Sequence, residues 1–500
     1  MLFIRNGFNK IPLLKKGRFM KKYYWFLNFA LIVTMLAVFL PVHPGSAQTG
    51  STVYLPLVIG GSQPQQTDGR TVNIPYFSET NIISSPRFNQ MAVFWYGQVT
   101  NNLNYSDVRI AYNDSELVVY IAQFDRRIFY NTASNGSDLE NWDAVTLLLQ
   151  TNGRGTAAPD ANSFRFTAQM HETWNNVNLY RRAEQGNGST WSTKSLVYTT
   201  TPGWRGIALN DNVDDRGWGM TFRIPFSSLG INGKPADGTQ WKLGLVSYDR
   251  DSLAGPPLQS FSWPETGSTT QPATWGSLRF GMPAYSPPVS SNPQTLMVRQ
   301  GENGASVPDV DAGGGSLCGQ WAAPEYFPDW GITNNRAGKD YVVIQNQSEI
   351  ADWPCYSKYY VTFPLNQVPA GKVIRSARLV MHQFGGSDPT NAYDSFVQVM
   401  SVGEDWQENT LNWNNAPYAL ENFASTRVGV LTVAPPWPGV AYEWDISRAV
   451  AQSYQSGTAL SLVLYSADKP LHSGKYFVSS DAEDWNKTAR PTLYVEYGTP

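Results

Sequence analysis

Val108-Arg109-Ile110-Ala111-Tyr112-Asn113-Asp114-Ser115-Glu116-Leu117-Val118-Val119-Tyr120-Ile121-Ala122 is the stretch that decides the fold class. Two runs rich in β-branched and aromatic residues flank Asn113-Asp114, a pair that reverses chain direction. The stretch therefore reads as strand, turn, strand. The same grammar recurs at 145–149, 220–224 and 241–246, and again at 359–363, 378–382, 460–465 and 493–497. Each run is short and bounded by Asn, Asp, Gly or Pro. Many such strands predict an all-β chain of antiparallel sandwiches or jelly rolls. Helical period holds only at 446–454, and Gly457 stops it.

Working outward, residues 1–48 have the order of a secretory signal peptide. A basic start and Met20-Lys21-Lys22 lead into the apolar run 26–40, then Pro41, Pro44, Gly45, Ser46 and Ala47. That run is short for a membrane helix of about 20 residues, so cleavage near Gln48 is predicted and no span remains afterwards. Met20 is better placed as a start than Met1. Residues 49–69 read as a linker. A second one covers 282–293, where Pro283, Pro287, Pro288 and Pro293 stand among serines. Two domains follow from these breaks, 70–281 and 294–500: two β-sandwich or jelly-roll domains in tandem after a signal peptide and linker.

Charge narrows the partners. The chain has 37 Lys and Arg against 40 Asp and Glu. Seven of the cations and none of the acids lie in residues 1–48, so the processed chain holds 30 against 40. No basic patch survives, which argues against nucleic acid and anionic membranes. The two cysteines, Cys318 and Cys355, fall in one domain, and in an oxidising compartment they are expected as a disulfide. Neither has the neighbours of a zinc site.

Four blocks of the first domain resemble the family-nine-like carbohydrate-binding modules, relatives of the DOMON sandwich. They are the quoted hairpin, Asp125 after it, Trp142-Asp143-Ala144-Val145, and Phe261-Ser262-Trp263-Pro264 followed by Trp275-Gly276-Ser277-Leu278-Arg279-Phe280. The second domain resembles the DNRLRE-type modules, some of them classed as polysaccharide-binding. Its sharpest string is Trp406-Gln407-Glu408-Asn409-Thr410-Leu411-Asn412-Trp413-Asn414-Asn415-Ala416-Pro417, with Trp444-Asp445-Ile446-Ser447 and Arg490-Pro491-Thr492-Leu493 beyond it.

The first resemblance implies specific residues. Trp142 matches a sugar-stacking tryptophan and Arg165 an arginine that holds sugar hydroxyls; Trp95 or Trp174 would supply a second stacking face. Pyranose rings present C–H faces to aromatic rings, and a planar guanidinium makes two-point contacts with hydroxyls. Trp263, Trp275, Trp406, Trp413 and Trp444 sit in scaffold-like strings and read as packing. Asp125 and Asp143 are candidates to share a structural calcium, with turn capping as the alternative; no other cofactor is expected. The run 211–215 reads as a solvated turn. No segment of catalytic-domain size is left over. The expectation is a non-catalytic extracellular or cell-surface protein that binds polysaccharide. The alternatives are a structural surface module without a ligand, or an accessory part of a glycoside hydrolase or polysaccharide lyase system.

Overall fold

The computed structural model describes residues 69–84, 86–172, 177–314, 326–334, 336–347, 350–388, 390–469 and 473–500. The predicted signal, Trp174 and Cys318 lie outside these residues. Among them, no helix is long and apolar enough to cross a membrane.

The first region supplies β1 (Thr71–Ile74), β2 (Ala92–Gly97), β3 (Tyr105–Tyr112), β4 (Glu116–Phe124), β5 (Ala144–Gln150), β6 (Ser163–Gln169) and β7 (Arg181–Gly186). It continues with β8 (Trp191–Thr193), β9 (Thr199–Arg205), β10 (Gly217–Pro225), β11 (Gln240–Tyr248), β12 (Phe261–Trp263) and β13 (Gly276–Phe280). The second supplies β14 (Ser291–Arg299), β15 (Asp309–Gly313), β16 (Tyr341–Ile344), β17 (Ser357–Phe363), β18 (Val373–Gly386) and β19 (Ser395–Ser401). Last come β20 (Glu421–Val428), β21 (Val440–Asp445), β22 (Leu460–Ser466), β23 (Lys475–Val478) and β24 (Thr492–Thr499). The chain is all-β, as its patterning predicts.

The deciding hairpin forms as read: β3 and β4 pair antiparallel from Tyr105↔Phe124 to Tyr112↔Leu117. Asn113 Oδ1 accepts the N–H groups of Ser115 and Glu116, both at 2.9 Å, which fixes the turn. The helix Ser447–Ser456 ends at Gly457, whose φ of +70° suits a residue without a Cβ. Proline did not keep sheet out of 282–293 entirely. β14 begins at Ser291, and its pairing with β24 is irregular between Ser291 and Gln294, which accommodates Pro293.

The layers follow from which side chains each strand buries. The sheet β2-β3-β4-β10-β9 packs on β1-β13-β11-β5-β6-β7 through Phe94, Ile110, Leu147, Phe166 and Leu245. In the second sandwich, β15-β17-β22-β19-β20 packs on β14-β24-β18-β23-β16 through Tyr359, Leu379, Val399 and Leu493. A third core joins the two. Val93, Trp95, Tyr105 and Phe124, on the outer side of β2–β4, meet Tyr360, Trp413, Val463 and Tyr465. The result is four stacked layers. β1 also touches β20 through one parallel pair, Thr71↔Glu421.

Charges lie inside this third core. Arg109 and Asp107 are fully buried and paired at 2.7 Å. Arg109 also donates to Ala467 O at 3.1 Å and to Asn346 Oδ1 at 2.8 Å, both from the second sandwich. Lys358, fully buried on β17, donates to Tyr105 Oη at 2.9 Å. Burial pushes its ammonium well below the ordinary lysine range, against the pull of Asp107.

Candidate functional site

The strand ends of the first sandwich gather three carboxylates. Asp125 follows β4, Asp143 precedes β5 and Asp249 follows β11. All three are buried, and one oxygen from each lies within 4.8 Å of the others. Asp125 accepts from Arg127 N at 2.9 Å and from the Trp218 indole at 3.0 Å. Asp143 accepts from Phe129 N and, at 2.8 Å, from Arg250 N. Both oxygens of Asp249 are buried with no hydrogen bond in place.

Burial first, and then repulsion from neighbouring carboxylates, Asp251 included, hold all three carboxyls well above their ordinary range. Burial also raises neighbouring Asp251 to about 6. Three converging hard oxygens with an unsatisfied member are the donor set that a divalent cation such as calcium takes. The sequence reading found Asp125 and Asp143 but missed Asp249. Its one local signal is the acidic pair Asp249 and Asp251 where β11 runs out.

The outer face of β11-β5-β6-β7 carries the other predicted residues. Alternation buries Val145, Leu147 and Leu149 and turns Thr146 and Leu148 outward. Trp142 heads that outward row and is half-buried. Its indole N–H donates to Asp138 at 3.2 Å, and the Arg250 guanidinium lies 4.6 Å from its ring centroid. Arg250 is held there by the carbonyls of Asn141 at 2.8 Å and Ser252 at 2.9 Å.

Arg165 stands opposite Leu148, next to Glu184 on β7. An ion ladder runs from it: Arg165 pairs with Glu184, Glu184 with Arg182 at 3.2 Å, and Arg182 with Glu140. The far end of the face is aromatic again. Arg165 lies 5.3 Å over Trp191, which stacks on Trp275 at 6.3 Å and 3°. Trp142 and Arg165 thus share one face, but six residues of extended chain separate their register, about 20 Å. The structure does not set them side by side around one ring. It strings them along a strip with Glu140, Arg182, Glu184 and Trp191, none of which the sequence reading named.

Trp95 requires a correction. It is 1% exposed, inside the third core, with the Lys358 ammonium 4.2 Å from its ring centroid. No external sugar can reach it, because the second sandwich covers that side of β2. Of the expected packing tryptophans, Trp263, Trp275, Trp413 and Trp444 are buried, and Trp406 is half-buried against the third core. The 211–215 turn is solvated except at Asp215, which accepts from Ile207 N at 3.0 Å; burial raises its carboxyl to about 7. Cys355 is buried at the end of the turn Ile350–Cys355. Its expected partner Cys318 falls outside the described residues.

Comparison with known proteins adds the following. No curated protein matches the chain. Among solved structures, a family 9 carbohydrate-binding module from Caldicellulosiruptor kristjanssonii, in complex with glucose, aligns at 16% identity. It covers 44% of this chain and 100% of its own, with a TM-score of 0.30. The same organism's module in complex with cellotriose gives 16% identity, 45% and 100% coverage, and a TM-score of 0.30. A protein from Bacteroides uniformis described as carbohydrate-binding aligns at 15% identity, with 42% and 99% coverage and a TM-score of 0.32. Residues 331–496 match carbohydrate-binding module family 96. The second region of the chain is thus similar to a carbohydrate-binding module.

Proposed function

We propose that this chain is a non-catalytic, secreted or cell-surface protein that holds polysaccharide. The observation that carries the reading is the match of residues 331–496 to carbohydrate-binding module family 96. The open face of the first sandwich adds a surface of suitable chemistry. Trp142 and Trp191, both partly exposed, stand at its two ends, and the partly exposed Arg182 guanidinium lies between them for a two-point contact with hydroxyls. Its length suits a chain of sugars rather than a single ring. In this reading a calcium ion bound by Asp125, Asp143 and Asp249 pins the loops that lead into Trp142 and Arg250; it does no chemistry. An association with a glycoside hydrolase or polysaccharide lyase system fits the same role.

The test is a glycan array with the secreted full-length protein, followed by calorimetric titration with the best hit. Retention of no glycan in any class would end the reading. It would favour a structural surface module instead, which has one specific point behind it: Arg165, Glu184, Arg182 and Glu140 already satisfy one another. Secretion has its own check. N-terminal sequencing of exported protein should start near Gln48, and a product that keeps residues 26–40 would refute cleavage. The Cys318–Cys355 bond belongs to the same proposal, and alkylation of the non-reduced protein should then add no mass.

A further inference from the structure

Most tryptophans among the described residues are buried. Trp95, Trp218, Trp241, Trp263, Trp330, Trp353 and Trp444 are each less than 2% exposed. Trp437 and Trp485 break the pattern at 57% and 65%. Leaving so much indole in water forgoes roughly 25 cal/mol for every Å2 that could have been buried. Neither side chain belongs to a hydrophobic core.

The two rings meet edge to face, with centroids 5.0 Å apart and planes at 87°. Phe384 stacks behind Trp437 at 6.4 Å and 26°, and Tyr341 and Tyr476 flank Phe384 at 6.1 and 6.4 Å. All three flanking residues are on the outward face of the second sandwich's outer sheet, on β18, β16 and β23. The backbone holds Trp437 there. Gly439 follows it at φ +102°, and a Cβ at that position would stand 2.6 Å from Gln383 O. Only glycine lets the loop lie this close to β18. The Trp485 indole N–H is anchored to Glu483 at 3.1 Å. Together these residues line a groove of about 510 Å3.

We infer that this groove is a second sugar-binding site and that it takes a neutral oligosaccharide rather than a uronate or sulfated one. The inference rests on the carbohydrate-binding reading and deepens it, because the groove lies within the 331–496 match. Two indoles at right angles give one ring to stack beneath a pyranose and a second to close its edge. The polar rim decides the class. Asp340, Asp481 and Glu483 line the groove, with Lys339 as the one cation among the lining residues. Carboxylate acceptors match hydroxyl donors. A polyanionic glycan would bring like charges into contact with them.

The experiment uses the full secreted chain with two probes, a neutral gluco-oligosaccharide (cellotriose and longer) and an oligouronate. Titration should show the neutral probe bound and the uronate not. Trp437→Ala and Trp485→Ala should each weaken the neutral probe roughly 5- to 150-fold, the range for losing one stacked ring. Melting should stay unchanged, because both side chains are more than half exposed. Trp437→Tyr, which keeps a ring, should retain most of the affinity, and this variant decides the matter should the alanine variants melt early. Parent-like affinity in the Trp437→Ala/Trp485→Ala double variant overturns this site while leaving the general reading intact. Tighter binding of the uronate overturns the assigned class. If the parent binds neither probe nor any other glycan, the general reading itself fails. Retention of an unrelated protein or a lipid vesicle at this groove, with no glycan, overturns the proposal as well.

Discussion

Among the described residues, cations meet indole rings in two regions, and the geometry alone does not tell the regions apart. Between the sandwiches, Lys358 Nζ lies 3.6 Å from the Trp413 centroid and 4.2 Å from Trp95. On the open face, Arg250 lies 4.6 Å over Trp142, and Arg165 lies 5.3 Å over Trp191. The difference is water. The interior contact must offset the desolvation of a whole ammonium, so it belongs to packing, and losing it endangers the fold. The surface contact is worth only about 0.5–1 kcal/mol. Both guanidinium groups stay partly exposed while they hold their protein partners. A cation over an indole marks a binding site only when solvent can also reach the pair.

The largest test of this comparison is Arg109→Ala. Removing one partner leaves Asp107 buried without its cation, and the expected cost is about 3–5 kcal/mol of stability. Chemical denaturation should move accordingly while glycan affinity per folded molecule stays at the parent value. A loss below about 1 kcal/mol would mean that the interior charges are incidental. Trp95→Ala belongs to the same class, with about 3–5 kcal/mol expected from an emptied core position.

Calcium comes next. With the free ion at one hundred times its dissociation constant, a site confined to the folded state adds about 2.7 kcal/mol. Chelation should therefore lower the melting temperature, and Asp249→Asn should remove that response. An identical melt with calcium and with chelator would reduce the three aspartates to a proton-sharing cluster.

Trp142→Ala is the surface counterpart of Trp95→Ala. It should cost binding about 1–3 kcal/mol, by analogy with stacked nucleobases, and leave the melt in place. Lost stability with intact affinity would move Trp142 to the packing class. The smallest effect is assigned to Arg165→Lys. Stability should change by less than about 1 kcal/mol, because lysine keeps a positive charge beside Glu184. Affinity should fall measurably, since an ammonium cannot reproduce the planar two-point contact. Unchanged affinity would remove Arg165 from the strip.

These residues also show what the chain's own pattern could reveal. Strands and turns were legible because β-branched runs and Asn-Asp punctuation are local signals, and the hairpin at 105–124 forms as its residues dictate. Asp125 and Asp143 were legible through resemblance. Asp249 was not, because its proximity to them exists only after β11 pairs with β5. Trp95 was misplaced for a reason present in the sequence. Ala92-Val93-Phe94-Trp95-Tyr96 is apolar at every position, the signature of a strand covered on both faces. Asp107 and Arg109 concealed the same fact on β3 by looking like an ordinary solvated edge. Trp437 also carried a signal that went unused: an indole among Pro435, Pro436 and Pro438 cannot belong to a regular strand.

The buried layer between the sandwiches also has a bearing on how far the two halves can be separated. Pro-rich joints usually mark where a gene can be cut and its pieces shuffled. Here Lys358 comes from the second half and is housed by Trp95 and Tyr105 of the first. Arg109 comes from the first half and is capped by Ala467 and Asn346 of the second. A recombinant carrying either half alone would strand a charge and expose an aromatic sheet. The two sandwiches of this chain share one buried layer, with the seam in the sequence and no seam in the solid.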